Sequence, residues 1–395
     1  PSIQQIQGWH DRLAGLYSTR NSEYDTLRRA FDGNFLSNQQ AAANLSSELV
    51  DRRQLHYNLI NTSTRRFMDE MSAPVTSIAV PRGIETRDLK VAENRQKLIA
   101  RIWTQQKMPL KLVMGAYYQS LLDDCIWHVR PAPEQPFKVA IELMVPESVF
   151  PIPWSSKWGE PKEWIVSWRK FDIDKSINLD PDGKNLQSPL SADMRVIEYH
   201  SDDWIIRIED GKETFARQHA WGFAPFTRGY NIPIPHRWRG QGDVDQVLGL
   251  NEYLYRLISD QADVLAYMAN PIVVVRGSRM GVNQLVFGPR AIWELERDGA
   301  AEILTWAGSA PSFETQILRV MQGIEDSTGI SSPAFGREIP SGVSGETVRS
   351  ILAGFNTRVG AKQQLMGLAV ADMLWKLQAI LEHEAANLHV GSELD

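Results

Sequence analysis

From Glu346 to Asn387 the sequence runs for 42 residues without a proline, with apolar residues at helical spacing. At 1.5 Å per residue such a helix is about 63 Å long, several times the globular average. A rod of that size cannot hide inside one small domain. Gly354, Gly360 and Gly367 lie in its interior and predict a bend or the close approach of a neighbour. With 395 residues in all, two to three folding units are expected at roughly 150 residues each.

Apolar residues make up 43% and charged residues 23% of the chain, which is ordinary globular material and excludes global disorder. The formal charge is −6, which argues against a protein that grips nucleic acid over a broad basic surface. Residues 1–130 hold 17 Lys/Arg and 13 Asp/Glu, so they carry +4 and the remainder −10. Any acidic working surface therefore follows residue 130. The single cysteine, Cys125, can form neither an internal disulfide nor a multi-cysteine zinc site and is expected as a buried thiol of a reducing compartment. No apolar run reaches the ~18 residues of a membrane span, and Pro1–Leu16 lacks a signal-peptide core, so no membrane partner is expected. Thirteen tryptophans favour an oligomer.

Along the chain, Ser22 to about Met71 reads as helical, Thr76–Val80 as a short strand between Pro74 and Pro81, and Asp88–Gln105 and Leu110–Leu122 as helices. From Ile126 to Phe226 the period becomes two. Trp164, Val166 and Trp168 alternate with Ile165, Ser167 and Arg169, the pattern of a half-buried strand. Asp210-Gly211 between Trp204–Glu209 and Glu213–Arg217 predicts a hairpin, and Asn178–Ser191 an exposed loop. Prolines and glycines from Pro225 to Gly242 mark the principal boundary, followed by a helix over Asp243–Asn270. A short β module, Ile272–Trp306, with strands at Ile272–Val275, Leu285–Phe287 and Ile303–Trp306, leads to a helix over Ser312–Thr328 whose Phe313, Ile317, Val320, Met321 and Ile324 share a face. The fold class is α+β.

Signatures of catalysis are missing. Gly183-Lys184 and Gly211-Lys212 lack the upstream glycine and following hydroxyl of a phosphate-binding loop, and His383-Glu384 meets Asn387 where a zinc helix needs its second histidine. Asn178–Gly183 opens like a calcium loop but has Pro189 in place of the bidentate glutamate. Ser341-Gly-Val-Ser344-Gly345 lacks the spacing of a nucleophile elbow, and the eight histidines are scattered without pairing. No cofactor, metal or catalytic residue is expected.

At 100° per residue, the helix beginning at Asp243 places Asp245, Glu252, Arg256 and Asp263 within about 20° of one another, with Asp260 about 60° away. Val247, Leu250, Leu254, Leu257, Ile258, Gln261, Leu265 and Met268 fall opposite. One face is apolar and the other acidic. The β module concentrates Arg276, Arg279, Arg290 and Arg297 with Trp293, the composition of a protein–protein hot spot. Between the last two helices, Phe335, Arg337, Glu338, Ile339, Ser341 and Ser344 lie in a stretch opened by glycines 329, 336, 342 and 345.

Two segments carry a resemblance. Ile232-Pro-Ile-Pro-His-Arg-Trp-Arg-Gly-Gln-Gly-Asp-Val-Asp through Asp263, closing on Ala269-Asn-Pro-Ile-Val-Val-Val275, and Thr328-Gly-Ile-Ser-Ser-Pro333 followed by Pro340-Ser-Gly-Val-Ser-Gly345, resemble portal (head–tail connector) proteins of tailed bacteriophages. The likeness covers most of residues 230–390 and, before that, only the order of elements. It implies a non-enzymatic subunit of a twelve-copy ring, the family's usual form, at one capsid vertex of a virion assembled in the host cytoplasm. It further implies a wing over residues 1–242, stem helices over 243–270 and 312–328, a clip over 271–311, a tunnel loop over 329–345, and a long wing helix over 346–395 leading to a minimal or missing crown. Asp245, Glu252, Asp260 and Asp263 would then line the stem channel, the six residues from Phe335 to Ser344 the tunnel loop, and the arginines with Trp293 the clip interface. The implied partners are double-stranded DNA in transit during packaging and ejection, the terminase large subunit, the major capsid protein and a head-completion or adaptor protein.

The rival reading is a metal-dependent nucleic-acid-processing enzyme or a motor subunit. It requires a carboxylate cluster, for which Asp243-Val-Asp245 and Asp123-Asp124 are the close pairs near element ends, more naturally read as helix caps and solvated charges.

Overall fold

The computed structural model describes residues 1–33, 58–71, 79, 86–152, 161–171, 193–235, 239–269, 272–278, 295–304, 311–330 and 344–388. The chain forms two compact units. Unit 1 comprises residues 1–32, 60–246 and 328–395, and unit 2 comprises residues 33–59 and 247–327. Among the described residues the architecture mixes helices with three antiparallel sheets.

Unit 1 opens with α1 (Ile3–Leu16), which the sequence reading did not anticipate. Ser2 and Gln5 form a reciprocal capping box at its start, and Ile6, His10 and Leu13 give it a buried stripe at i, i+4 and i+7. The helical pattern expected from Ser22 begins at α2 (Ser18–Phe31), and α3 (Leu59–Met71) is a separate helix; residues 34–57 between them lie outside the described residues. α4 (Thr86–Gln105) and α5 (Met108–Leu122) follow. The strand expected at Thr76–Val80, the loop at Asn178–Ser191 and the strand at Leu285–Phe287 also fall outside the described residues, Ala79 apart, which is in no strand.

β1 (Cys125–Pro131), β2 (Val139–Met144) and β8 (Phe226–Gly229) form a sheet in the order β2-β1-β8. β3 (Val149–Ile152), β4 (Glu163–Phe171), β5 (Asp193–His200), β6 (Trp204–Glu209) and β7 (Lys212–Gln218) form a five-stranded meander in chain order. The β6–β7 hairpin turns at Asp210 (φ 47°) and Gly211 (φ 80°), the positive angles that a two-residue turn matched to strand twist requires.

The layers follow from side-chain alternation. Cys125, Trp127 and Val129 of β1 point into the largest core, shared with α3, α4, α5 and the long terminal helix α8 (Gly345–Leu388). Ile126 points the other way and meets Val149, Trp164, Val166 and Phe226, the core between the two sheets. The far face of the meander, with Ile165, Ile197 and Ile206, is covered by Ile6 and Leu13 of α1. β4 is therefore buried on both faces where period two predicted one, and Ile165 is core because α1 supplies the second cover. Cys125 is a fully buried free thiol.

α8 is 44 residues long, about 66 Å at helical rise. It is tied to β8 by Lys376, whose Nζ donates to Phe226 O at 2.6 Å, and by Thr227, whose hydroxyl donates to Asp372 Oδ2 at 2.6 Å. In unit 2, α6 (Leu248–Ala269) precedes the antiparallel pair β9 (Ile272–Ser278) and β10 (Leu295–Leu304), and α7 (Pro311–Thr328) follows.

Candidate functional site

The helix expected from Asp243 begins at Leu248. Asp245 is thus no part of its acidic face. It lies in the preceding turn of unit 1, where its carboxylate accepts Gly242 N at 3.1 Å and pairs with Arg239 at 3.3 Å, and burial pushes its carboxyl above the usual range. Polar residues that bond their own backbone favour such turns over helix interiors, which is why the helix starts late. On α6 itself Asp260 is exposed, and Glu252 is bound to Arg256 at 2.6 Å, so part of the acidic face is neutralised. Asp263 sits on the helix, but its side chain is outside the described residues. Leu254, Tyr255 and Leu257 are buried, whereas Leu265, expected on the apolar side, is half-exposed. On α7, Ile324 is buried and Phe313, Ile317, Val320 and Met321 are partly so, as the periodicity predicted; a methyl on Gly323 would touch Leu250 of α6 at 3.7 Å.

Arg276 and Arg297 are exposed on β9 and β10 respectively, Arg297 within the irregularity that separates the paired residues Leu295 and Ala300. Arg279, Arg290 and Trp293 lie outside the described residues. So do Phe335, Arg337, Glu338, Ile339 and Ser341. Ser344 is described and caps α8: its Oγ accepts Thr347 N at 3.2 Å.

Three of the four paired carboxylates, Asp123, Asp124 and Asp243, converge in the core of unit 1, where they are buried instead of solvated. Arg228 Nε donates to Asp124 Oδ1 at 2.7 Å, and the Tyr24 hydroxyl donates to Asp124 Oδ2 at 2.8 Å. Asp123, held in the left-handed region (φ 56°) at the end of α5, accepts Asn231 N at 2.7 Å and Ile232 N at 3.0 Å on Oδ1, while its buried Oδ2 has no hydrogen-bond partner among the described residues. Burial pushes the Asp123 carboxyl up to about 7 despite the nearby Arg228 and these two amides. Asp243 accepts from Ser120 Oγ at 2.7 Å and Asn231 Nδ2 at 3.0 Å and is paired with Lys362 of α8. The Lys362 ammonium lies 3.6 Å from the Phe67 ring centroid, and burial lowers its pKa against the pull of Asp243. Asp123 Oδ2 apart, these oxygens fix Arg228, Asn231 and Ile232 against the end of α5, and Asp243 against α5 and α8. Among the described residues no group of three or more His, Cys, Asp and Glu is placed to hold a metal ion.

Two of the histidines, expected as scattered, meet. His128 of β1 stacks on Phe226 at 4.4 Å, and His200 of β5 meets both rings edge-on at 4.9 Å. Burial lowers the pKa of His200, and burial likewise takes His219, stacked 4.0 Å from Trp221, down to about 4. Burial would raise the Glu198 carboxyl, but the His200 hydrogen bond and the charges around it hold it at about 2; since the buried imidazole is neutral at pH 7, Arg207, 2.6 Å away, is the lasting counter-charge. Sequence reading missed this cluster, since its members come from strands far apart in the chain.

Residues 246–320 match a family described as a domain of unknown function, DUF4055. No curated protein matches the chain. Among solved structures, a chain in the virion of a native gene transfer agent particle is similar over 90% of this chain and 81% of that one, with a TM-score of 0.53 and 9% identity. At that identity the likeness is one of fold. No helix among the described residues is long and apolar enough to cross a membrane.

Proposed function

We propose that the chain is a non-enzymatic structural subunit of a phage-like virion, and that within it the chain builds the portal ring. The observation that carries this reading is the order of elements: a helix, an antiparallel strand pair and a returning helix form one excursion, residues 247–327, out of a larger unit that closes with a 44-residue helix. The fold likeness to a virion chain over 90% of the sequence supports it. On this reading α6 and α7 are the stem, β9 and β10 the clip with Arg276 and Arg297 facing a partner, residues 329–345 the tunnel loop, and unit 1 the wing. Glu252, Asp260 and Asp263 give the channel its acid, which offers DNA phosphates no deep binding minimum and lets the duplex move in either direction. Terminase, the major capsid protein and a head-completion protein are the partners of such a ring.

Native mass spectrometry with negative-stain imaging tests the proposal. A closed ring of about twelve copies with a central hole is expected, as a heterologous interface that closes on itself requires. A chain that stays monomeric at high concentration overturns it.

A further inference from the structure

α8 is apolar on two sides. Val359, Met366, Val370, Met373 and Leu377 face the core of unit 1. At 100° per residue the opposite side carries Gly360, Gln364, Gly367, Leu368, Ala371 and Trp375 within an arc of about 100°. None of these is charged. Leu368 is 67% and Trp375 57% exposed, although one side of the indole rests on Phe223, 5.2 Å between centroids. A helix that met only water here would carry charge. Gly360 and Gly367 sharpen the point: a methyl built on either meets nothing within 4 Å among the described residues, so no contact among them explains two residues that weaken a helix relative to alanine.

A second bare face lies on α5 of the same unit. Leu110 is 58% and Met114 47% exposed, with Val113 beside them on the same side of the helix. The two faces are unlike. The first is a shallow floor of glycine and alanine bordered by Leu368 and Trp375; the second is a ridge of long side chains. Two complementary faces on one chain make a head-to-tail contact, whereas pairing α8 with α8 would leave α5 bare.

We infer that the Gly360–Trp375 face of α8 receives the Leu110–Met114 ridge of α5 from a second copy of the chain. This rests on the ring reading above and specifies which surfaces meet. The α8 face is about 22 Å long but the Leu110–Met114 ridge only about 6 Å, so the seam covers less than roughly 200 Å² per partner, well short of the roughly 800 Å² that a stable dimer needs. Such a seam is too small to hold an isolated pair and suits a closed ring, in which every copy is held at two of them.

Cross-linking tests it, because native Cys125 is fully buried and introduced cysteines are the reactive ones. The double variant Met114→Cys/Gly367→Cys, treated with a short bismaleimide, should give a ladder of covalent oligomers, and each single variant should give none. Gly367→Leu, which fills the floor, should weaken ring formation at least tenfold while the melting temperature of the monomer stays level or rises. A ring that forms in the double variant without cross-links, or Gly367→Cys cross-linking to itself, overturns this assignment and leaves the ring reading standing. A wild-type chain that forms no ring overturns both.

Discussion

Replacing Lys362 with methionine removes the cation from a buried pair and leaves Asp243 with two neutral donors, Ser120 and Asn231. Methionine keeps much of the stem packed on Phe67, so the loss is chiefly electrostatic. Breaking a buried pair by deleting one partner costs about 3–5 kcal/mol, mostly the penalty of an uncompensated charge. For a unit of this size each kcal/mol corresponds to about 2–4 °C, so the melting temperature should fall by about 6–20 °C. The companion variant Lys362→Met/Asp243→Asn removes both charges and should regain more than half of the loss, giving a coupling of at least about 1.5 kcal/mol in a double-mutant cycle. Urea unfolding followed by circular dichroism, with calorimetry beside it, measures all four corners. A single-variant loss below about 1 kcal/mol, or a double variant as unstable as the sum of the two, would refute the reasoning.

Further outcomes follow from the same core. Gly240→Ala should destabilise by several kcal/mol, about the upper range for a core substitution, because its Cβ would collide with Ile232 O and meet Asp123 Oδ2 at 2.6 Å; a melting curve like wild type's would contradict the packing. The Asp123 carboxyl, raised from 3.8 to about 7, contributes stability that is complete below its unfolded value and is lost as pH rises through about 7. Asp123→Asn should flatten that slope in a series of urea midpoints from pH 5 to 8. Glu198 and Glu142 work in the opposite sense: both are held at about 2, so their contribution is present above pH 4.5 and lost as pH falls toward 2. Glu142→Gln should weaken the acid-side loss in the same assay. Cys125 should react with a thiol reagent only after denaturant is added, since the thiol is buried and burial keeps it protonated.

Much of the fold was legible in local pattern. The Asp-Gly turn, the helix over residues 311–328 and the long α8 each announce themselves within a few residues, through positive φ, period and the absence of proline. What was hidden depends on distant partners. Nothing near Ile165 says that α1, some 150 residues earlier, covers the second face of its sheet. Asp123, Asp124 and Asp243 read as caps and solvated charges because their partners, Arg228 and Lys362, stand more than 100 residues from the carboxylates they neutralise. Asp245 illustrates a different limit: periodicity extends a helix through residues that bond their own backbone instead, and the acidic face of α6 loses a carboxylate that spacing alone assigned to it. The candidate site was legible as a composition, an acidic helix face and two exposed arginines, whereas the buried carboxylates of unit 1 were not, because their counter-charges lie far off in the chain.

The layering of unit 1 also sets an order of events during synthesis. Ile6 and Leu13 emerge first, yet the strands they cover end at Ile208, and the core around Trp127 is completed by residues as late as Leu381. At about 5–20 residues per second, α1 waits about 10–40 s for its sheet, and the β1 layer waits about 13–50 s for α8. Residues 247–327, the larger segment of unit 2, are made in that interval. During translation the chain therefore carries a bare apolar face on α1 until its sheet is made, and an incompletely covered β1 sheet face throughout the synthesis of residues 247–327, and its yield should depend on chaperones that shield such faces more than on the stability of the finished subunit.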